Sequence, residues 1–160
     1  MSATSLPRRL DARRNRDLIL RVAAEAFTRD GELVSLDDVA RRAGLGRATV
    51  YRHFPDRTAL GFAVATERLV DLARRLETAS FRELLHAVLV EQQRFRDLPR
   101  RRYTDALLTV LRPAFRRAHE EGRLRKDLEL ADLPIVFEMV DGVAERLVQA
   151  LLDGLFEKAA

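Results

Sequence analysis

Residues 36–54 read Leu-Asp-Asp-Val-Ala-Arg-Arg-Ala-Gly-Leu-Gly-Arg-Ala-Thr-Val-Tyr-Arg-His-Phe. Leu36, Val39, Ala40 and Ala43 fall at i, i+3, i+4 and i+7, one face of a short helix. Ser35 precedes it and is placed to accept the backbone N–H of Asp38, the N-cap role. Asp37 and Asp38 suit the positive end of the helix dipole. Gly44 ends the helix, and Gly-Leu-Gly makes a three-residue turn into a second helix over 47–54. Two short helices on such a turn form a helix-turn-helix. Ala40 and Ala43 are small enough for a close crossing. Leu45, Val50 and Phe54 would plug the angle from inside, which leaves Arg47, Ala48, Thr49, Tyr51, Arg52 and His53 outside.

The same periodicity extends in both directions. A first helix is expected over 11–30, with Ile19, Val22, Ala23, Ala26 and Phe27 on one face and Gly31 as its C-terminal cap. Pro55 stops the helix at 47–54, and Asp56 caps a fourth over 57–76. A fifth is expected over 81–98, broken at Pro99. A sixth is expected over 102–121, ended by Gly122 and kinked or split by Pro113. The last begins near Asp132, with Pro134 tolerated in its first turn. The fold class is therefore all-α: a three-helix domain over 1–57, then a short helical bundle over 58–160.

Charge divides along the same line. Residues 1–60 hold 12 Arg against 8 acidic residues, whereas residues 61–160 hold 17 basic and 17 acidic residues. The net +4 of the chain thus sits in the first part, as expected of a module that meets a polyanion. There is no cysteine, which excludes disulfides and thiolate metal sites. The three His stand at no metal-ligand spacing, and neither a G-x-S-x-G nor a phosphate loop occurs. No enzyme activity, metal or cofactor is expected. No apolar run is long enough to span a membrane, and residues 1–18 carry five Arg without an apolar stretch, so a cytoplasmic protein is expected.

The exposed set of the second short helix is suited to nucleic acid. Arg47 can reach a guanine edge bidentately, or a phosphate. Thr49 can offer its hydroxyl to a phosphate or its methyl to a thymine. Tyr51 and His53 have the reach for phosphate oxygens. Arg57 opens the fourth helix, where free N–H groups favour an anion. An ordinary αα-hairpin would not need this set together.

Residues 14–62 resemble the DNA-binding domain of the tetracycline-repressor (TetR) family. The resemblance rests on the 19–27 helix, on Ser35-Leu36 with Asp38-Val39-Ala40, on Ala43-Gly44-Leu45, and above all on Ala48-Thr49-Val50-Tyr51-Arg52-His53-Phe54 with Pro55, Arg57 and Leu60. It implies that Arg47, Ala48 and Arg52 face bases or the groove, and that Thr49, Tyr51, His53 and Arg57 hold the phosphate backbone. It implies that Ser35 caps a helix whose N-terminus touches phosphate. A basic arm with Arg8, Arg9, Arg13 and Arg14 would lie along the DNA, as in some relatives. The implied function is a sequence-specific transcriptional regulator, commonly a repressor released from its operator by a small molecule. The alternative is a protein-interaction module that keeps the helix-turn-helix without binding DNA.

The later region resembles the family in outline, through residues 113–126. It is short for the family, and no loop is expected after Val143, so 132–157 would be one helix or a tight pair. Its apolar stripe is wide enough for a homodimer, with Val136, Val140, Val143, Leu147 and Leu151 at the interface and Gly142 allowing close approach. A homodimer implies a roughly palindromic operator. An effector pocket would draw on Phe62, Leu69, Leu89, Tyr103, Leu107, Leu111, Phe115 and Phe137, although the same apolar residues would serve as core. The fourth helix, running from one half into the other, is the natural lever between them.

Overall fold

The computed structural model of the protein describes residues 5–30, 34–95, 98–140 and 142–156. Among these, every regular element is helical: α1 (Ser5–Asp30), α2 (Leu36–Ala43), α3 (Arg47–His53), α4 (Arg57–Arg75), α5 (Phe81–Gln92), α6 (Arg100–Glu120), α7 (Leu133–Met139) and α8 (Glu145–Leu155). Short 3-10 turns occupy Gln93–Phe95 and Leu130–Asp132, and a lone antiparallel bridge joins Leu124 to Phe156. No described helix is long and apolar enough to cross a membrane.

The chain divides into two compact units, Met1–Ala65 and Thr66–Ala160. The division falls eight residues beyond the boundary read from the sequence. The reason is the start of α4: Leu60 and Val64 are buried and line one small crevice with Ala23, Phe27 and Val34. In the first unit Ile19, Leu20, Ala23, Ala26 and Phe27 of α1 form a buried face, and Val39, Ala40, Val50 and Phe54 complete the core. α1 begins at Ser5 rather than near residue 11. Pro7 is its third residue, where a missing N–H costs no hydrogen bond. Gly31 lies outside the described residues.

In the second unit α5 packs against α6 and α8. Ser80 and Glu83 close a capping box at the start of α5. The core here includes Leu69, Leu85, Val88, Leu89, Leu107, Leu111, Leu133 and Leu152. α6 is not split at Pro113. The carbonyl that this proline leaves unpaired belongs to Thr109, an exposed residue, while Leu107, Leu111, Ala114 and Ala118 bury the opposite side.

The C-terminal stripe is not one helix. α7 stops at Met139 and α8 starts at Glu145, with Gly142 between them at φ +71°. Glycine serves here to make the turn rather than to let two helices approach. Two glutamines hold the break. Gln92 Nε2 donates to the Phe137 carbonyl at 3.0 Å, and Gln93 Nε2 donates to that of Val140. The Gly142 N–H donates back to Gln93 Oε1 at 3.0 Å. The carbonyls that end α7 thereby find partners without a continuing helix. Apolar periodicity runs through the break unaltered, which is why the pattern alone left one helix and a tight pair both open.

Candidate nucleic-acid interface

α2 starts on a closed cap. The Asp38 N–H donates to Ser35 Oγ at 3.1 Å, and the Ser35 hydroxyl donates to Asp38 Oδ2 at 2.8 Å. That hydroxyl, and then the charge of Arg41, hold the Asp38 carboxyl below the usual aspartate value. α2 ends at Gly44, whose φ of +65° puts it in the left-handed C-terminal position. Gly46 then N-caps α3 without a side-chain bond.

α3 buries Val50 alone and turns the rest outward. Arg47, Ala48, Tyr51 and Arg52 are exposed, with Tyr51 at 47%, whereas Thr49 and His53 are half-buried. Arg52 Nη2 donates to Thr49 Oγ1 at 3.1 Å, so these two share one ridge of the helix. Arg47 pairs with Asp37 of α2. The Asp56 carboxylate accepts the Ala59 N–H at 2.7 Å, which caps α4 and leaves Arg57 exposed at its first position. Ser35, Arg13 and Arg14 are also exposed, the two arginines on α1; the side chains of Arg8 and Arg9 lie outside the described residues.

Two participants were not picked out from the sequence. The guanidinium carbon of Arg16 lies 4.8 Å from the centre of the Phe54 ring, which ties this cation to the end of α3. Its signal was its place in the basic run with Arg13 and Arg14. Asp37 carried no signal beyond its suitability for a first turn.

The residues expected to line an effector pocket fall differently. Leu69, Leu89, Tyr103, Leu107, Leu111, Phe115 and Phe137 are buried in the second unit, and Phe62 is half-buried on α4 in the first. Tyr103 stacks obliquely on Phe95 at 5.9 Å, and burial, with the charge of Glu91, raises its phenol well above the usual value. None of the eight lines the large cleft of the second unit, which is walled instead by the α4–α5 turn, the second half of α6 and Phe156. Of the five residues expected at a dimer interface, Val136 and Val140 are only 6% and 2% exposed. Val143 and Leu151 are half-buried, and Leu147 is 51% exposed. Ile135 and Met139 are 60% and 58% exposed. The apolar face open on α7 and α8 is thus offset from the one read from the stripe, because α7 turns Val136 inward beside Leu133 and Phe137.

Comparison with known proteins agrees with this geometry. Residues 19–64 match the sequence model of the family described as bacterial regulatory proteins, tetR family. An uncharacterised helix-turn-helix-type transcriptional regulator of Mycobacterium tuberculosis is 27% identical over 139 residues, which cover 85% of this chain and 66% of that protein. The chain therefore spans just under two thirds of the length of that curated relative. The crystal structure of a TetR transcription regulatory protein from Mycobacterium vanbaalenii superposes with a TM-score of 0.55 at 34% identity, covering 93% of this chain and 99% of that one. A TetR transcriptional regulator from Streptomyces coelicolor gives 0.54 at 27% identity, covering 90% and 99%. With its helix-turn-helix inside the matched segment and a relative of one-third identity along nearly its whole length, the chain belongs to the tetR family of bacterial regulatory proteins.

Proposed function

We propose that the protein is a homodimeric, sequence-specific DNA-binding transcriptional repressor, acting in the cytoplasm and released from a roughly palindromic operator by a small organic effector. The observation that carries the DNA-binding reading is the outward ridge of α3. Arg47, Ala48, Thr49, Tyr51, Arg52 and His53, followed by Arg57 on α4, present base-reading and phosphate-binding groups together on one rigid motif. Only Val50 of α3 is spent on the core. Arg47, Ala48 and Arg52 meet base edges; Thr49, Tyr51, His53 and Arg57 hold phosphates, with Ser35, Arg13 and Arg14 at the margins.

The homodimer reading is supported by Ile135, Met139 and Leu147, large apolar side chains left open on two short helices. Large apolar side chains exposed on successive helices suit a second copy of the same surface. Repression and release are the family's common mode.

The test is titration of a fluorescent duplex from the gene's own promoter region, in a salt series, against an unrelated duplex of equal length. Tight, sequence-dependent binding with a steep salt slope is the expected result. Equal and weak binding to both duplexes would instead favour a module that uses the helix-turn-helix to meet another protein.

A further inference from the structure

The second unit carries an open cleft of about 1000 Å3. This is the size of a site for one drug-sized molecule, the upper end of a range of roughly 300–1000 Å3. Its apolar floor is made by Phe81, Ala114 and Ala118, which are buried, and by the half-buried Ala79 and Phe156. Phe81 meets Phe156 at 5.9 Å between ring centres and stands edge-on to Phe115 at 5.3 Å. Ala79, Ala114 and Ala118 take up little of the space.

Three guanidinium groups reach the same cleft, and their pairing differs. Arg123 pairs with Glu121 at 3.1 Å. Arg82 pairs with Asp153, and its guanidinium carbon lies 5.5 Å from the centre of the Phe156 ring. Arg117 donates only to the backbone carbonyl of Glu77, at 3.2 Å, and has no carboxylate within ion-pairing distance among the described residues. A neutral carbonyl occupies one N–H of the fork and leaves the others without a carboxylate in direct contact. The remaining donors suit the two oxygens of a carboxylate or sulfonate. The cleft therefore offers one guanidinium without an ion pair among the described residues, and the Glu77 carboxylate lines the same cleft outside ion-pairing distance of it.

We infer that this cleft is the effector site, and that the effector is an organic monoanion with a flat apolar body. This rests on the ligand-release reading above and replaces the packed interior of the bundle as the place of binding. The anionic group sits on Arg117, and the apolar body lies against Phe81 and Phe156. Glu77 and Thr78 of the cleft follow within three residues of the end of α4. Closure of the α4–α5 turn on a ligand would therefore act on the helix that begins at Arg57.

The experiment uses the full chain and anilinonaphthalene sulfonate, a flat aromatic monoanion that fluoresces when bound. Saturable binding of one molecule per chain is expected, weakened about tenfold in Arg117→Gln and less in Arg117→Lys, which keeps the charge but loses the fork. Thermal melting of both variants shows whether they remain folded, and Phe156→Leu provides a second route to weaker binding without touching the charge. Binding that is absent, or indifferent to Arg117 and Phe156 alike, overturns the site. Operator affinity is read in the same titration. If Arg117-dependent binding leaves operator affinity unchanged, the release reading fails and the effector assignment with it. If the probe releases the operator equally from wild type and from both kinds of variant, release stands and the cleft is the wrong place.

Discussion

Asp37, in the first turn of α2, holds the guanidinium of Arg47 at the first position of α3. Its other oxygen, Oδ1, is buried and lacks a hydrogen-bond partner among the described residues. A carboxylate covered on one side and paired on the other keeps both side chains in one arrangement. That arrangement links the two helices of the motif through Arg47, the residue proposed above to meet a base edge. In the free protein the pair is open to solvent, and exposed pairs of this kind contribute only about 0.2–1 kcal/mol. Its effect is expected in recognition instead.

Asp37→Ala should therefore separate specific from non-specific binding. It removes a negative charge from a surface that meets phosphates, so affinity for unrelated duplex should stay level or rise. It also frees Arg47 to find phosphates instead of a base edge, so discrimination at one operator position should fall by about 1–3 kcal/mol. Competition titrations of operator against single-base variants measure both. A parallel loss for every duplex would show that Asp37 supports the motif as a whole, without orienting Arg47.

Tyr51 is half exposed on the same ridge and contributes nothing to the buried core. Tyr51→Ala should leave the unfolding free energy within about 0.5 kcal/mol of wild type, the usual range for surface changes. Operator affinity should fall by about ten- to a hundredfold, as expected when one hydrogen bond to a charged group, worth about 1.5–3 kcal/mol, is lost. Tyr51→Phe should show most of the same loss if the hydroxyl carries it. An unchanged affinity in Tyr51→Ala would mean that α3 does not lie against DNA.

Where the sequence was legible, local chemistry and burial agreed. Ser35, Gly44 and Asp56 are small caps with few alternatives, and they set the ends of α2 and the start of α4 where the structure has them. The ridge of α3 could be read because Val50 and Phe54 must face inward, which determines the direction of every other residue in the turn. Of one helix or a tight pair over 132–157 the structure has the pair, and the choice was not legible because what holds the break lies about fifty residues away, in the amides of Gln92 and Gln93. The open apolar face was misplaced for the same reason, since a break resets the phase of the stripe. The pairing of Asp37 with Arg47 and the cleft beside Phe156 depend on tertiary proximity, for which a single sequence carries no periodic signal.

Gly142 offers a direct probe of that break. Its φ of +71° is one that a side chain disfavours, and a Cβ there would meet no other atom within 4 Å. Gly142→Ala should therefore cost about 1–2 kcal/mol through backbone conformation alone. Gln93→Leu removes both the donor to Val140 and the acceptor for the Gly142 N–H, so it should destabilise as much or more. Chemical denaturation of the two variants and of the double variant decides the matter. Losses that simply add would mean that the turn and the glutamine act independently.

Acid should weaken the start of α5 in a defined way. The Ser80 hydroxyl, and then the Ser80 N–H, bond the Glu83 carboxylate and lower its pKa from the ordinary glutamate value. A depressed carboxyl contributes stability above its unfolded pKa of about 4.3, and that contribution disappears as pH falls through the lower folded value. Ser80→Ala should cost about 1 kcal/mol at neutral pH through the lost cap. Its stability should also fall less steeply than wild type below about pH 4.3. Melting curves between neutral pH and the acid limit compare the slopes, and equal slopes would show that Glu83 is not linked to Ser80 in solution.

Ile135, Met139 and Leu147 would be the most exposed large apolar residues of the second unit if the protein were a monomer. A charge at the centre of a symmetric contact is brought against its own copy, so one substitution acts twice. Leu147→Glu should therefore shift the protein from dimer to monomer in sedimentation at about micromolar concentration. The fold should be untouched, because the side chain is not part of the subunit's own core. Operator binding should then fall far more than binding to a single half-site, since two recognition helices no longer act as one ligand. A dimer that survives Leu147→Glu and Met139→Glu together would place the subunit contact elsewhere. The apolar face on α7 and α8 would then need another occupant.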